Sequence, residues 1–599
     1  MGMDSFWLQN SRKLVDCAMG RLPAHLVILN GKWVCVQTGE IVPNIDIAIR
    51  SKHIAYVGEN ARHTIGKDTE VIDAKGAYLV PGLLDAHMHV ESGMVTVTEF
   101  VRAVLPRGTT GMFIDPHEIA NVFGLRGVRL MVDDAALQPI HVFVQMPSCV
   151  PSAPGFETPG AVLGPKEVTE AMTWPGIIGL GEMMDFPGVF NGEDKAHAEM
   201  AATRAAGKVI GGHYASPDLG RAFHAYVAGG PQDDHEGTRL EDAIARARQG
   251  MKVMLRYGSA WHDVAAQVKA VTELGLSSRN FLLCTDDSQA ETLVTEGHMD
   301  RVVRHAISEG LDVMTAIQMA TINTAEHFGV AREIGMIAPG RYSDLLMVED
   351  LQDFRPHTVI AKGKVVFTDG ETLVNLPQHE YPEWVTSSVH LPRQLRAEDF
   401  KLPTSSEKTI AHVIGVIENQ APTKHLEFEM DVQGGEVYAD ISRDIAKIAL
   451  VERHQPTGKV QVGLVHGFGF NKACAVATTV AHDSHQMIVV GTDDAQMALA
   501  VNHLASIGGG QVVLSDGKLL GEIRLPIGGL MSTQSAERVA AEAAELLYGF
   551  RECGCQLNNP NMTMSLLGLV VIPQLRISDM GLVDVDRFDF IPVLEPRAE

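Results

Sequence analysis

The 599-residue chain has no apolar run near the ~18 residues that a bilayer-crossing helix needs; one of the longest, Leu566 to Ile572, is closed by Pro573. The opening segment, MGMDSFWLQNSRKLVDCAMG, has no apolar h-region, so no secretory signal is read there. Cysteine is scarce: seven residues (17, 35, 149, 284, 474, 553 and 555), an odd number with no C-x-x-C. That pattern argues against a disulfide framework and fits reduced thiols in a cytoplasmic protein. Positive charge is short as well, Lys+Arg 49 against Asp+Glu 74 for a net charge of −25. So acidic a surface repels phosphate backbones and anionic lipid, which speaks against nucleic-acid and membrane partners. No low-complexity tract or short-period repeat stands out. Histidine, by contrast, is plentiful at 25 residues, and it is both the commonest metal ligand and a natural acid or base.

At roughly 100–200 residues per domain the length calls for several domains. An N-terminal helical segment is expected over 1–25. Residues 26–80 read as short β-branched strands (LVILNGKWVCV, IDIAIRSKHIAYVGE) broken by Gly, Asn and Asp turns, and the same texture returns over 331–376. Two all-β pieces flanking one long segment predict a small β-sandwich built from both flanks. The segment between them, 81–330, spans 330 − 80 = 250 residues and alternates short strands with helical patterns. That is the length and texture of a (β/α)₈ TIM-like barrel, so the fold class is α/β. Eight strands are read: LVPGLLDAHMHV, TGMFIDPH, HVFVQMPS, GIIGLGEMM, KVIGGHYA, GGPQDDHE, KVMLRYGS and FLLCTDDS. Each ends in polar or titratable residues, and such endings share one mouth of the barrel. A Pro- and Glu-bearing connector follows over 377–409. Residues 410–599 then form an additional C-terminal α/β domain with Gly-rich turns and Ala-rich helices.

His87 and His89 close the first of these strands, and residues i and i+2 of an extended strand face one side. Such a pair is weak evidence alone; spacing strengthens it. From His87 to Glu182 is 95 residues, from Glu182 to His213 is 31, from His213 to His235 is 22, and from His235 to Asp286 is 51. In units of ~30 residues these groups fall on strands 1, 4, 5, 6 and 8. Imidazole and carboxylate donors without thiolate suit Mn, Fe(II) or Zn. Six ligands exceed what one open catalytic ion takes, and a carboxylate such as Glu182 bridges with its two oxygens. A binuclear centre with a shared hydroxide as nucleophile follows.

PGLLDAHMHVESGM behind a β-sandwich, with TDD on the eighth strand, resembles the amidohydrolase superfamily. The wider set is similar to one branch, the bacterial adenine deaminases: IDPHEIANV, GLGEMMDFP, DDHEGT, CTDD and, in the last domain, GLVHGFGF, VAHDSHQMIVVGTDD and LPIGGLMS. The likeness runs from about residue 25 to the C-terminus. It implies that His87 and His89 hold a first metal, Glu182 bridges, His213 and His235 hold a second, and Asp286 joins the first and shuttles protons. It departs in GGHYASPDLGRAF and at Ser288 and Gln289, where a basic residue is expected.

Other residues near the mouth have two readings each. Asp287 is a purine-ring contact or a solvated loop acid. Glu91, His117 and Glu118 hold the substrate, tune the ligands or, for His117, form an extra metal position; loop polarity and helix-start charge compete. Arg256 and Ser259 donate to the heterocycle or orient a ligand, with an ordinary salt bridge as the competing reading. His482, Asp483 and His485 are a second hydrolytic site or, preferred, polar groups of a domain packing over the mouth. The expected reaction is hydrolytic deamination of adenine to hypoxanthine and ammonia in purine salvage. Asp286 and Glu182 are the catalytic residues, two Mn2+ or Fe2+ ions (Zn2+ possible) the cofactors, and a homodimer the favoured assembly. The alternatives are a hydantoinase- or dihydroorotase-type cyclic-amide hydrolase, which usually carries a lysine where this chain has Glu182, and a non-catalytic metal-binding protein.

Overall fold

The computed structural model of the protein describes residues 3–377 and 379–596; residues 1–2, Gln378 in the expected connector and the terminal residues 597–599 lie outside them. A helix, Met3–Ala18, precedes a nine-stranded sheet. Five of its strands come from residues 26–81 and four from 345–372. The join is Tyr78–Pro81 running antiparallel to Leu345–Val348, with Leu79 opposite Met347. The β-layer built from both flanks is therefore one continuous sheet. Alternation sends Leu26, Ile28, Ile47 and Ile49 into one apolar cluster and Val27, Leu29 and Ala48 into another, where Leu14 and Cys17 of the helix cover them.

Eight parallel strands follow: Leu83–His89, Thr109–Ile114, His141–Met146, Ile177–Met183, Val209–Gly212, Asp233–Asp234, Lys252–Arg256, and Phe281–Cys284 continued by Asp286–Asp287. The first, second, third and eighth are buried along almost their whole length, as expected of strands with helices outside and a filled barrel inside. The ring closes where Asp286 pairs with Met88 and Asp287 with His89. Between the fifth and sixth strands the Gln232 N–H donates to the Ile210 carbonyl at 2.9 Å. Leu84, Ala86, Phe113, Phe143, Met254 and Leu282 fill the interior, and Phe328 plugs its base with its ring 3.9 Å from that of Phe113. The barrel is thus packed through its interior, and its upper mouth is polar.

Beyond residue 376 the chain crosses to a ten-stranded sheet running from Lys408–Gly415 to Lys518–Arg524, with Leu594–Pro596 added beside Thr409–Ala411. The second half of the expected connector is packed, because Leu395, Phe400 and Leu402 lie in the core of this sheet. The unit docks on the barrel mouth. Ser532 N–H donates to the Met94 carbonyl at 2.8 Å and Thr96 N–H to the Ser532 carbonyl at 3.2 Å. One apolar core runs from barrel residues such as Ile119 and Val122 into Ile527, Leu530 and Met531.

Candidate metal centre

The first strand carries a register shift against the second. Asp85 pairs with Met112 and Met88 with Ile114, so one extra residue is accommodated between them. Such a bulge resets the alternation, which is why Leu84 and Ala86 join the interior cluster, Met88 faces the outer core, and His87 and His89 still point into the mouth. Beneath them, buried Asp85 accepts from the Thr285 hydroxyl at 2.6 Å and lies 3.1 Å from His298 Nε2. That contact pins the first strand to the eighth.

His89 is oriented through its other ring nitrogen and His213 through its backbone. His89 donates from Nδ1 to the Asp115 carbonyl at 2.8 Å, leaving the Nε2 lone pair to face Glu182 Oε1 at 3.4 Å and Asp286 Oδ1 at 3.3 Å. His213 is placed by Tyr226, whose hydroxyl accepts its N–H at 2.8 Å and donates to the Met183 carbonyl at 3.0 Å. Glu182 ends the fourth strand, and its N–H donates to Asp115 Oδ2 at 2.8 Å. Its two oxygens face different partners: Oε1 lies toward His89 and, at 3.1 Å, His117 Nδ1, whereas Oε2 lies against His213 Nδ1 and 3.2 Å from His235 Nε2. The surrounding histidines overcome burial and hold the Glu182 carboxyl well below the usual carboxylate range.

Asp286 sits at φ +62, a left-handed conformation costly for a residue with a Cβ, at the break between the two halves of the eighth strand. Its Oδ2 accepts from Arg256 Nη1 at 3.0 Å, which turns Oδ1 toward His89 and, at 4.0 Å, His87. Burial would raise the Asp286 pKa, but His89 and Arg256 together lower it. Arg256 also donates to Glu236, and to Asp263 at 2.8 Å. Its guanidinium is therefore spent on three carboxylates and orients Asp286; it presents no free fork to a substrate. Ser259 is likewise engaged, donating to Thr292 at 2.8 Å and accepting from Gln289 N–H at 2.8 Å.

The donor set fits divalent cations. His87 Nε2 and Asp115 Oδ1 are buried without a hydrogen-bond partner among the described residues. Donor atoms converge within 4.8 Å in the groups His87–Glu182–His235, His87–His89–Asp286 and His89–His117–Glu182. Nitrogens and oxygens set 3–4 Å apart, each able to reach a common point at about 2.0–2.2 Å, are what such an ion requires.

Of the remaining candidates, Asp287 accepts from the Ser92 hydroxyl, Glu91 Oε1 accepts from Ile119 N–H at 3.3 Å, and Glu91 Oε2 has no partner among the described residues. Burial and the neighbouring Glu118 push the Glu91 carboxyl up to about 7. Glu118 lies between His117, whose Nε2 is 3.3 Å from its Oε1, and His482 and His485 of the C-terminal unit. A cavity beside the ligands is lined by Glu91, Ser92, Glu118, Gln289, His482 and Asn559, so both units wall it. Two residues of the centre were missed by sequence reasoning. Asp115 lies between His89 and Glu182, and Glu236 beside His235; each was visible only as a further strand-end carboxylate.

Residues 78–366 match the amidohydrolase family and residues 420–589 the adenine deaminase C-terminal domain. Adenine deaminase 3 of Rhizobium meliloti is 58% identical over 98% of this chain and 99% of its own. An adenine deaminase of Mesorhizobium japonicum is 60% identical over 97% and 96% respectively, and one from a Ruegeria species 57% identical over 99% of both.

Proposed function

Because the chain belongs to the adenine deaminase family of amidohydrolases, we propose that it hydrolyses adenine to hypoxanthine and ammonia at the barrel mouth. The observation that carries the site assignment is Glu182, whose two oxygens face two separate groups of histidine nitrogens. His87, His89 and Asp286 would hold one divalent ion, His213 and His235 a second, and Glu182 both; Mn2+ or Fe2+ suits these donors, as does Zn2+. Such ions supply Lewis acidity and bring the pKa of water toward neutrality.

The chain's own groups account for the proton traffic. Attack at C6 requires water to lose a proton, and the departing amine must gain one. Asp286 Oδ1 faces the centre while Arg256 fixes Oδ2, so one positioned carboxylate oxygen can take the first proton and return it. Electron density pushed into the purine ring needs a donor, and Glu91 supports that role because its partnerless Oε2 is buried at the cavity wall with a pKa near 7. Glu118, at the cavity wall, is also the carboxylate to which His117, His482 and His485 turn. The cyclic-amide alternative is disfavoured, since the fourth strand, IIGLGEM, carries no lysine. Seven buried cysteines without a disulfide support work in the reducing cytoplasm.

The test is ammonia release from adenine beside ring opening of hydantoin and dihydroorotate, using protein loaded with Mn2+. Turnover of adenine alone is expected; turnover of either cyclic amide with none of adenine refutes the reading.

A further inference from the structure

The loop Ala481–Gln486 carries two histidines that the chemistry above leaves unused. Its position is set by Arg453, a fully buried arginine that donates from Nε to the His485 carbonyl, from Nη2 to the Gly528 carbonyl at 3.0 Å and from Nη1 to Ser388 Oγ at 3.0 Å. Ala481 N–H donates to His485 Nδ1 at 3.2 Å, which places the ring proton on Nε2, and that N–H donates to Glu118 Oε2. In this tautomer His485 offers no lone pair at Nε2 to a cation.

His482 Nδ1 lies 2.9 Å from Glu118 Oε1. Its Nε2 takes no hydrogen bond among the described residues, and its side chain, 12% exposed, borders the cavity shared with Glu91, Ser92 and Gln289. Burial disfavours charge on this imidazole, yet the Glu118 and Asp483 carboxylates outweigh it and hold His482 above the usual histidine range. Its Nδ1 lies against two carboxylates, Glu118 and, at 3.6 Å, Asp483, a setting that holds a proton on both ring nitrogens and leaves the Nε2–H edge, opposite Glu118, as the donor at the cavity wall.

We propose that His482 is a specificity-determining contact, its Nε2–H donating to a ring nitrogen of the bound purine, with Glu118 and His485 as the positioning pair behind it. The inference rests on adenine as substrate. A purine presents in-plane acceptors at N1, N3 and N7, and a donor carried by the C-terminal unit reads one of them while the barrel conducts the chemistry. The cluster Glu118–His482–His485 also has the donor types of a third cation site, which the His485 tautomer opposes.

Kinetics on adenine, inhibition constants of 1-deaza-, 3-deaza- and 7-deazaadenine, and metal content separate these readings. All are measured on the wild-type holoenzyme, His482→Ala and His482→Gln. His482→Ala is expected to raise KM roughly tenfold to hundredfold with a smaller change in kcat, and His482→Gln to recover part of this through its amide N–H. Two analogues lose affinity in parallel with adenine. The third, lacking the contacted nitrogen, binds wild type and His482→Ala equally. Equal losses for all three analogues, or no loss for adenine, overturn the contact. Three ions per chain falling to two in His482→Ala also overturn it, in favour of a cation site. Should His482→Ala fail to fold, the same comparison is read from His482→Gln. If wild type neither deaminates adenine nor binds any analogue, the substrate reading fails, and the contact falls with it.

Discussion

Glu182 turns its two carboxylate oxygens toward two separate groups of histidine nitrogens, the arrangement on which the proposed bridge rests. An amide in its place keeps one acceptor oxygen and turns the other position into a donor facing His213 and His235, which is incompatible with cations on both sides. Glu182→Gln is therefore expected to fold, to hold fewer than two metal ions per chain and to lose more than about a hundredfold in ammonia release. Elemental analysis with a turnover assay checks this; two ions with near-normal turnover would refute the bridge. Glu157, away from the ligands, makes a second prediction. Its Oε1 accepts from Ser152 and from Ala153 N–H, each at 2.8 Å, while burial, reinforced by Asp483, pushes its pKa up to about 7. Between the unfolded carboxyl range and about 7 the folded chain keeps a proton that the unfolded chain has lost. This group's contribution to stability therefore falls as pH rises through that window. Glu157→Gln should remove the decline. In urea melts from about pH 5 to about pH 8 the variant should gain on wild type by up to about 3 kcal/mol. A pH-independent difference would show that the group does not titrate there.

At the level of elements, the strand ends are shaped by what cannot be placed there. A Cβ on Gly181 would lie 2.1 Å from Asp115 Oδ2, the oxygen that takes the Glu182 N–H. Neither a barrel strand nor a fully buried aspartate offers a flexible end that can move aside. Gly181→Ala should push Asp115 off that N–H and tilt Glu182, weakening metal binding about 10–100-fold while leaving the barrel intact. Chelator competition measures the affinity and circular dichroism the fold; unchanged retention of metal would show that Asp115 does not support Glu182. The first strand shows how far a pattern can be read. His-x-His singled it out as a candidate ligand strand, and spacing in βα units placed Glu182, His213, His235 and Asp286 at the ends of strands that the fold does form. The bulge after Asp85 was invisible, because it arises from pairing with Thr109–Ile114 and not from the strand's own residues. Arg256 was seen as a strand-end cation. Its commitment to Glu236, Asp263 and Asp286 required three elements to meet.

For the molecule as a whole, the C-terminal unit walls one side of the cavity at the barrel mouth. Gly528, at φ +65, approaches the helix bearing Glu118 so closely that a Cβ there would stand 2.6 Å from Ile119 Cδ1, and the apolar core is continuous across the contact. A chain ended at residue 376 uncovers that core and removes both histidines from Glu118, so it should aggregate or, if kept soluble, turn over adenine with a strongly raised KM. Size-exclusion chromatography and kinetics decide; a soluble monomer with full-length kcat and KM would make the unit an appendage.

The sequence by itself determined the barrel and the sheet assembled from both of its flanks, and it singled out six candidate metal ligands, His87, His89, Glu182, His213, His235 and Asp286, which the fold gathers at the barrel mouth. These depend on local periodicity and on the regular length of βα units, both written along the chain. Its family likeness carried the substrate. Only the tertiary structure decided which groups those ligands lean on: Asp115 behind His89 and Glu182, Arg256 behind Asp286, and a loop more than 360 residues away held against Glu118. Such partners are set by where strand ends and docked loops converge, and no spacing in the chain records that convergence.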